Sequence, residues 1–140
     1  MIRIKILSVG KNAERWLEEA IQMYVTRLTP YAIFEFCWLK TSEALEKALL
    51  AEKNPILLDP YGTAYDSPDF CRWFFSRAER GGAKVALAIG PAEGFRDEIR
   101  EKFELISLSK LTFTHQMARL LLVEQIFRAF EIQKGTQYHK

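Results

Sequence analysis

From Gln116 to Gln133 the chain contains no Gly or Pro and is rich in Leu, Ala, Gln, Glu and Arg, which predicts a helix roughly 27 Å long. No other feature constrains the fold as much, because this helix is apolar around more of its circumference than one sheet can cover. At about 100° per residue, Leu122, Val123, Ile126, Phe127, Ala129 and Phe130 fill one side. Glu124, Gln125, Arg128 and Glu131 form a second stripe that reads as solvated surface, with an i,i+4 pair between Glu124 and Arg128. Met117, Leu120 and Leu121 spread apolar surface beyond one stripe, so neighbours are expected on two sides, one of them a second subunit. Arg119 falls in the middle of the apolar side, where a charge needs a partner. A core partner and a contact with ligand or subunit are both open readings. Gly135 supplies a stop.

Upstream of this helix, short apolar strands alternate with helical segments. Ile2 to Val9 reads as a strand, about Ala13 to Leu28 as a helix burying Trp16, Leu17 and Ile21, and Ile33 to Leu39 as a second strand. A helix from about Ser42 to Glu52 precedes a short strand, Ile56 to Leu58, that ends in the turn signal Asp59-Pro60-Tyr61-Gly62. Ser67 caps the next helix with Pro68 at its first position, and Gly81-Gly82 stops it. Val85 to Ile89 reads as a strand buried on both faces, about Arg96 to Lys102 as a helix, and Leu105 to Leu108 as the fifth strand. This pattern predicts an α/β fold with a mostly parallel sheet flanked by helices. At 140 residues, without repeat or linker, residues 1–140 are expected to form one domain.

Three loops follow strand ends, the side of a parallel sheet where ligands sit. They are Leu58 to Gly62, Gly90-Pro91-Ala92-Glu93-Gly94, and Ser109 to Thr114. The second lacks both the G-x-G-x-x-G fingerprint and a Walker lysine. Together the loops offer amides and hydroxyls, which suit a nucleoside better than a phosphate. Glu93 is either catalytic or complements a helix dipole, and His115 sits where it caps the last helix. The terminal Tyr138-His139-Lys140 joins an acid-base group, a stacking aromatic and a cation on what reads as a free tail.

Twenty Lys and Arg against eighteen Asp and Glu leave a net charge of +2, so any RNA contact must come from local patches. Cys37 and Cys71 lack the clustering of a zinc site, and no metal is expected. No apolar run approaches membrane-spanning length and the N-terminus reads as a strand, so a cytoplasmic protein without a membrane partner is expected.

The loops and tail together resemble the ribosomal RNA large subunit methyltransferase H family, small members of the SPOUT (α/β knot) methyltransferases. The resemblance spans the chain. It rests on Leu57, Leu58, Asp59 and Gly62, on Ile89, Gly90, Glu93 and Gly94, on the run Ser107 to His115 leading to Arg119, Glu124, Arg128 and Ala129, and on Tyr138-His139-Lys140. It implies a C-terminal trefoil knot, an exception to unknotted topology. It also implies S-adenosylmethionine held at Leu58, Gly90, Pro91, Ser109, Lys110, Leu111, Thr112, Phe113 and Thr114, and a homodimer whose interface includes the last helix. The substrate implied is N3 of a pseudouridine in a hairpin loop of large-subunit (23S) rRNA, on assembled ribosomes. His139 is the candidate to remove the N3 proton, with Tyr138 at the base and Arg119 completing the catalytic set. Pro91 and Ala92 depart from the family's usual glycine and proline, as Thr136 and Gln137 do from its usual His and Pro. Rival readings are a SPOUT enzyme for another RNA and a nucleotide-binding module without catalysis.

Overall fold

A computed structural model describes all 140 residues. The elements run β1 Ile2–Val9, α1 Arg15–Arg27, β2 Ala32–Leu39, α2 Ser42–Ala51, β3 Ile56–Ala64, α3 Ser67–Arg80, β4 Lys84–Ile89, α4 Asp97–Arg100, β5 Glu104–Ser107 and α5 His115–Lys134. All five strands are parallel, in the order β2-β1-β4-β3-β5.

Alternation along the strands sorts the core into two layers. Ile4, Ile6, Val85, Leu87, Ile56 and Ile106 face Leu17 and Ile21 of α1, Phe70 and Phe74 of α3, and Leu122, Ile126 and Phe130 of α5. Leu7, Leu57, Ala86 and Ala88 face Leu45 and Leu49 of α2 and Ile99 of α4. No helix is long and apolar enough to cross a membrane.

α5 fills the space between α1 and α3, which accounts for one side of its apolar surface within one chain. Ile126 and Phe130 are 0 % and 5 % exposed, and the Phe130 ring meets Phe74 and Phe75 edge-on at 6.0 and 5.0 Å. Such ring pairs add about 0.5–1.5 kcal/mol each beyond their buried area. Met117, 37 % exposed, and the half-buried Leu120 and Leu121 keep part of the second apolar side uncovered.

Elsewhere the differences from the sequence expectations are local. Trp16 is 54 % exposed rather than core, turned away in the first turn of α1 from the side that carries the buried Leu17 and Ile21. Asp66, not Ser67, caps α3, its carboxylate accepting from the Asp69 amide at 2.8 Å. Thr114, not His115, caps α5 through the Met117 amide at 3.2 Å, and Gly135 closes that helix in the left-handed conformation at φ 74°. β3 runs through the Asp59–Gly62 segment as an irregularity. Pairing with β5 breaks after Leu58 and resumes at Thr63 opposite Ile106.

Candidate cofactor and acceptor site

Because β4, β3 and β5 are neighbours in the sheet, the three loops at their C-terminal ends meet. Leu58 stands between Ile89 and Ile106 in register, so the Gly90 turn lies to one side of it and the Ser107–Thr114 segment to the other. The expected cofactor residues Leu58, Gly90, Pro91, Ser109, Lys110, Leu111, Thr112, Phe113 and Thr114 are thus brought to one end of the sheet.

Each loop is braced from within the chain. Asp59, only 4 % exposed, accepts from the Tyr61 amide at 2.9 Å and from Arg100 Nε at 2.7 Å, and Arg100 lies 5.4 Å from the Tyr61 ring centroid. The hydrogen bond it donates to Asp59 holds the Arg100 guanidinium above its ordinary value, against the opposing effect of burial. In the β4 loop the Gly94 amide donates to Pro91 O at 2.8 Å, and Arg96 grips Glu46 of α2 through two hydrogen bonds of 2.7 and 2.9 Å. Glu93 accepts from Ser42 at 3.2 Å and does not cap α4, whose first-turn acids are Asp97 and Glu98. Ser107 Oγ donates to Ser109 O at 2.9 Å, and Ser109 Oγ accepts from the Leu111 amide at 3.0 Å.

Beyond Leu111 the loop is open. The amides of Lys110, Thr112, Phe113 and Thr114 have no partner in the chain, while Leu111 and Phe113 are 71 % and 38 % exposed. Free main-chain donors beside exposed apolar side chains are what the adenine of a nucleoside cofactor requires, so these residues fit S-adenosylmethionine. His115 adjoins this opening. Burial lowers its imidazole below the ordinary value, Arg119 adds to this, and Glu93 opposes it.

A fourth loop, between β1 and α1, was not singled out by the sequence. Gln116 donates to Lys11 O at 2.8 Å and accepts from the Ala13 amide at 3.3 Å. Arg119 binds the same segment. Its guanidinium is 0 % exposed, donates to Ser8 Oγ at 3.0 Å, Asn12 Oδ1 at 2.9 Å, and the carbonyls of Val9 and Gly10 at 2.6 and 2.8 Å, and lies 4.2 Å from the Trp38 ring centroid. Desolvation lowers its pKa to about 10. Of the readings open for Arg119, the core partner is what the chain itself supplies: the enclosed guanidinium ties the β1–α1 turn to α5.

The tail forms a second cluster, away from the loops. After Gly135 the chain folds back along α5, the Thr136 hydroxyl donating to Glu131 at 2.8 Å. Tyr138 donates to Glu124 Oε2 at 2.8 Å and packs edge-on against Phe127 at 5.0 Å. Arg128 donates to Glu124 at 2.9 Å, lies 4.8 Å from the Tyr138 centroid, and contacts His139 Nδ1 at 3.0 Å. Arginine only donates, so Nδ1 accepts and the imidazole proton sits on Nε2. Burial and the bond to Glu124 push the Tyr138 phenol far up, so it is a donor and not a base. The Glu124–Arg128 stripe, expected to be plain solvated surface, is instead half-buried beneath Tyr138 and His139. The signal for it was present: a tail aromatic following a glycine cap, opposite Glu124, Phe127 and Arg128 at helical spacing.

Along α5 the cluster stands about 15 Å (at Glu124) to about 21 Å (at Arg128) from the Thr114 cap that ends the cofactor loop, at 1.5 Å per residue. Within one chain, the expected acid-base residues and the expected cofactor residues do not meet.

The family described as "Predicted SPOUT methyltransferase" matches residues 2–139. A Protochlamydia amoebophila protein named ribosomal RNA large subunit methyltransferase H is 46 % identical over 100 % of both chains, and a Pelobacter propionicus protein of the same name is 36 % identical over 99 % of each. Among solved structures, a probable methylase family protein from Haemophilus influenzae aligns with TM-score 0.54 at 12 % identity, over 94 % of this chain and 66 % of that one. A putative methyltransferase from Legionella pneumophila, solved with SAM bound, aligns with TM-score 0.51 at 14 % identity, over 92 % and 66 %. These two likenesses concern the fold. With the family match over residues 2–139 and the full-length relatives in agreement, the chain belongs to the SPOUT methyltransferases, in the ribosomal RNA large subunit methyltransferase H family.

Proposed function

We propose that this chain is an S-adenosylmethionine-dependent methyltransferase of large-subunit rRNA, acting as a single-domain, cytoplasmic, knotted homodimer on N3 of a pseudouridine in assembled ribosomes. The observation that carries the reading is the set of unpartnered amides of Lys110, Thr112, Phe113 and Thr114, set beside Leu58 and the Gly90-Pro91 turn at the ends of three adjacent strands.

Bound there, S-adenosylmethionine supplies a sulfonium methyl that is already electrophilic. What remains for the protein is to hold the acceptor in line and to remove one proton, since N3 attacks only when its lone pair is free. N3 lies on the pairing edge of the base, so the target must be unpaired or splayed from its stack. Tyr138, anchored by Glu124 and Phe127, offers an aromatic face and a hydroxyl for that base. His139 presents Nδ1 as its acceptor nitrogen; exchanging Arg128 for the acceptor base lets it take the N3 proton. Arg128 and Glu124 orient both side chains.

Reacting atoms must approach to about 3–3.5 Å, far less than the spacing between loops and tail in one chain. That mismatch supports a homodimer in which the tail of one protomer meets the cofactor loops of the other. Met117 of α5 and Trp16 of α1, both exposed, are suited to such an interface.

Incubating the purified chain with methyl-labelled S-adenosylmethionine and large subunits tests the proposal. Label is expected at one pseudouridine, mapped by nuclease digestion and mass spectrometry. Label appearing only in transfer RNA, or in no RNA, would overturn it.

A further inference from the structure

At the opposite end of the sheet, one face is left open. α2 covers Leu7, Leu57, Ala86 and Ala88, but its ten residues span only about 15 Å against about 26 Å for the eight of β1. Below it lies a groove of about 1090 Å³, bounded by the N-terminal ends of β1, β2 and β4 and the C-terminal ends of α2 and α3. Its lining contains six cations, Arg3, Lys5, Lys53, Arg77, Arg80 and Lys84, and two carboxylates, Glu35 and Glu52, a net of +4. The whole chain is +2, so everything outside the groove is net −2. The positive charge of the protein is concentrated on this surface.

Not all of that charge is free. Lys5 pairs with Glu52 at 2.5 Å and with Glu35 at 3.9 Å, and Arg77 with Glu104 just outside the lining. Arg3, Lys53, Arg80 and Lys84 have no carboxylate within ion-pair distance. Moreover Arg3 and Lys84 stand directly opposite each other on adjacent strands. Like charges so placed disfavour the sheet, and nothing in the fold offsets them. Such an arrangement calls for an anion from outside.

We infer that this groove docks the phosphate backbone of a double-stranded stem of large-subunit rRNA, remote from the methylated base. The inference rests on reading the chain as an rRNA methyltransferase. Four unpaired cations drawn from β1, the α2–β3 turn, the end of α3 and the start of β4 match a line of phosphates rather than a single anion. No aromatic side chain lines the groove, so it offers no stacking platform for unpaired bases, which favours a duplex over a single strand. Net attraction of the whole chain is too weak to dock it, so a concentrated patch is what RNA binding needs.

The test compares Arg80→Glu/Lys84→Glu with Arg15→Glu/Arg72→Glu, which changes net charge equally on exposed helix surfaces outside the groove lining. Each is titrated against a fluorescent RNA duplex, protein-free rRNA and intact large subunits across a salt series, with thermal melting and S-adenosylmethionine affinity confirming an intact fold. The groove variant is expected to bind duplex and subunits about tenfold or more weaker than the control at moderate salt. Its log–log salt slope should be shallower by about 1.8, or 0.9 per lost phosphate contact. Equal binding by the two variants overturns the inference. So does weaker binding to subunits with unchanged binding to protein-free rRNA, which would assign the groove to a ribosomal protein. Duplex binding through these residues without methyl transfer by the wild type would count against the proposed function and leave the groove standing.

Discussion

Arg119 shows how far one buried residue can be read. Its place on the apolar side of α5 was legible, but its partners were not, since three of them are main-chain or hydroxyl oxygens of Ser8, Val9 and Gly10 that no charge pattern marks. Removing the guanidinium strands these acceptors and empties the face of Trp38. We therefore expect Arg119→Ala to destabilise the chain by roughly 3 kcal/mol or more in urea, whereas Arg15→Ala, on a side chain 92 % exposed, stays within about 0.5 kcal/mol. Equal midpoints would refute the bracing role. Gln125 is not the neutral comparison that a solvated stripe implied, because it accepts from Ser67 at 2.7 Å. His115 adds a pH dependence. Its folded value lies below the ordinary 6.5, so on acidification the unfolded chain takes the proton first. Its contribution is full above about pH 6.5 and is lost as pH falls through the folded value. His115→Asn should flatten the drop in melting temperature between about pH 7.5 and about pH 5. An unchanged profile would place the acid sensitivity elsewhere.

Most elements were legible because the strands begin as short apolar runs, β4 buried on both faces, and α2, α3 and α5 carry side-chain caps. The misreadings occur where a distant partner decides. Asp59-Pro60-Tyr61-Gly62 has the composition of a turn, and locally it is one, with Asp59 accepting from the Tyr61 amide. Only the edge of β5, more than forty residues on, draws the chain back into pairing at Thr63 and Ala64. Gly62 makes that return feasible: a Cβ there would sit 2.6 Å from the main chain of Leu105 and Ile106, which cannot swing aside. Gly62→Ala is thus expected to cost about 3 kcal/mol or more, at or beyond the top of the usual overpacking range, and to raise amide exchange along β5. By contrast Gly10→Ala meets nothing within 4 Å and suffers only its φ of 80°, about 1 kcal/mol. If both cost the same, close approach is not what fixes Gly62. The α4 helix, expected over about seven residues, has four, and its last residue, Arg100, holds Asp59.

At the scale of the molecule the sequence carried least. A knot is a property of the whole path, which no local pattern encodes, and of the broad apolar surface of α5 the stripe through Ile126 and Phe130 is covered by α1 and α3, while Met117, Leu120 and Leu121 stay partly exposed. Charged residues at Ile126 or Phe130 would accordingly unfold the chain rather than divide a dimer. The ground for a dimer is instead the gap between Tyr138 and His139 and the loop ending at Thr114. If each active site joins the tail of one protomer to the loops of the other, two inactive variants should repair one another. Tyr138→Phe/His139→Ala keeps the loops and loses the tail's chemistry; Leu111→Glu/Phe113→Glu keeps the tail and places charge where the cofactor is expected. In a mixed dimer one of the two sites takes its loops from the first variant and its tail from the second, so it is intact while the other is doubly impaired. Equal amounts, refolded together so that half the dimers are mixed, should regain about one quarter of wild-type methyl transfer. Separately, each should remain near background, and S-adenosylmethionine affinity should be kept by the tail variant and lost by the loop variant. A mixture no more active than its parts, with mixed dimers confirmed by mass spectrometry, would place loops and tail of the same chain in one site and require α5 and its tail to rearrange on binding RNA.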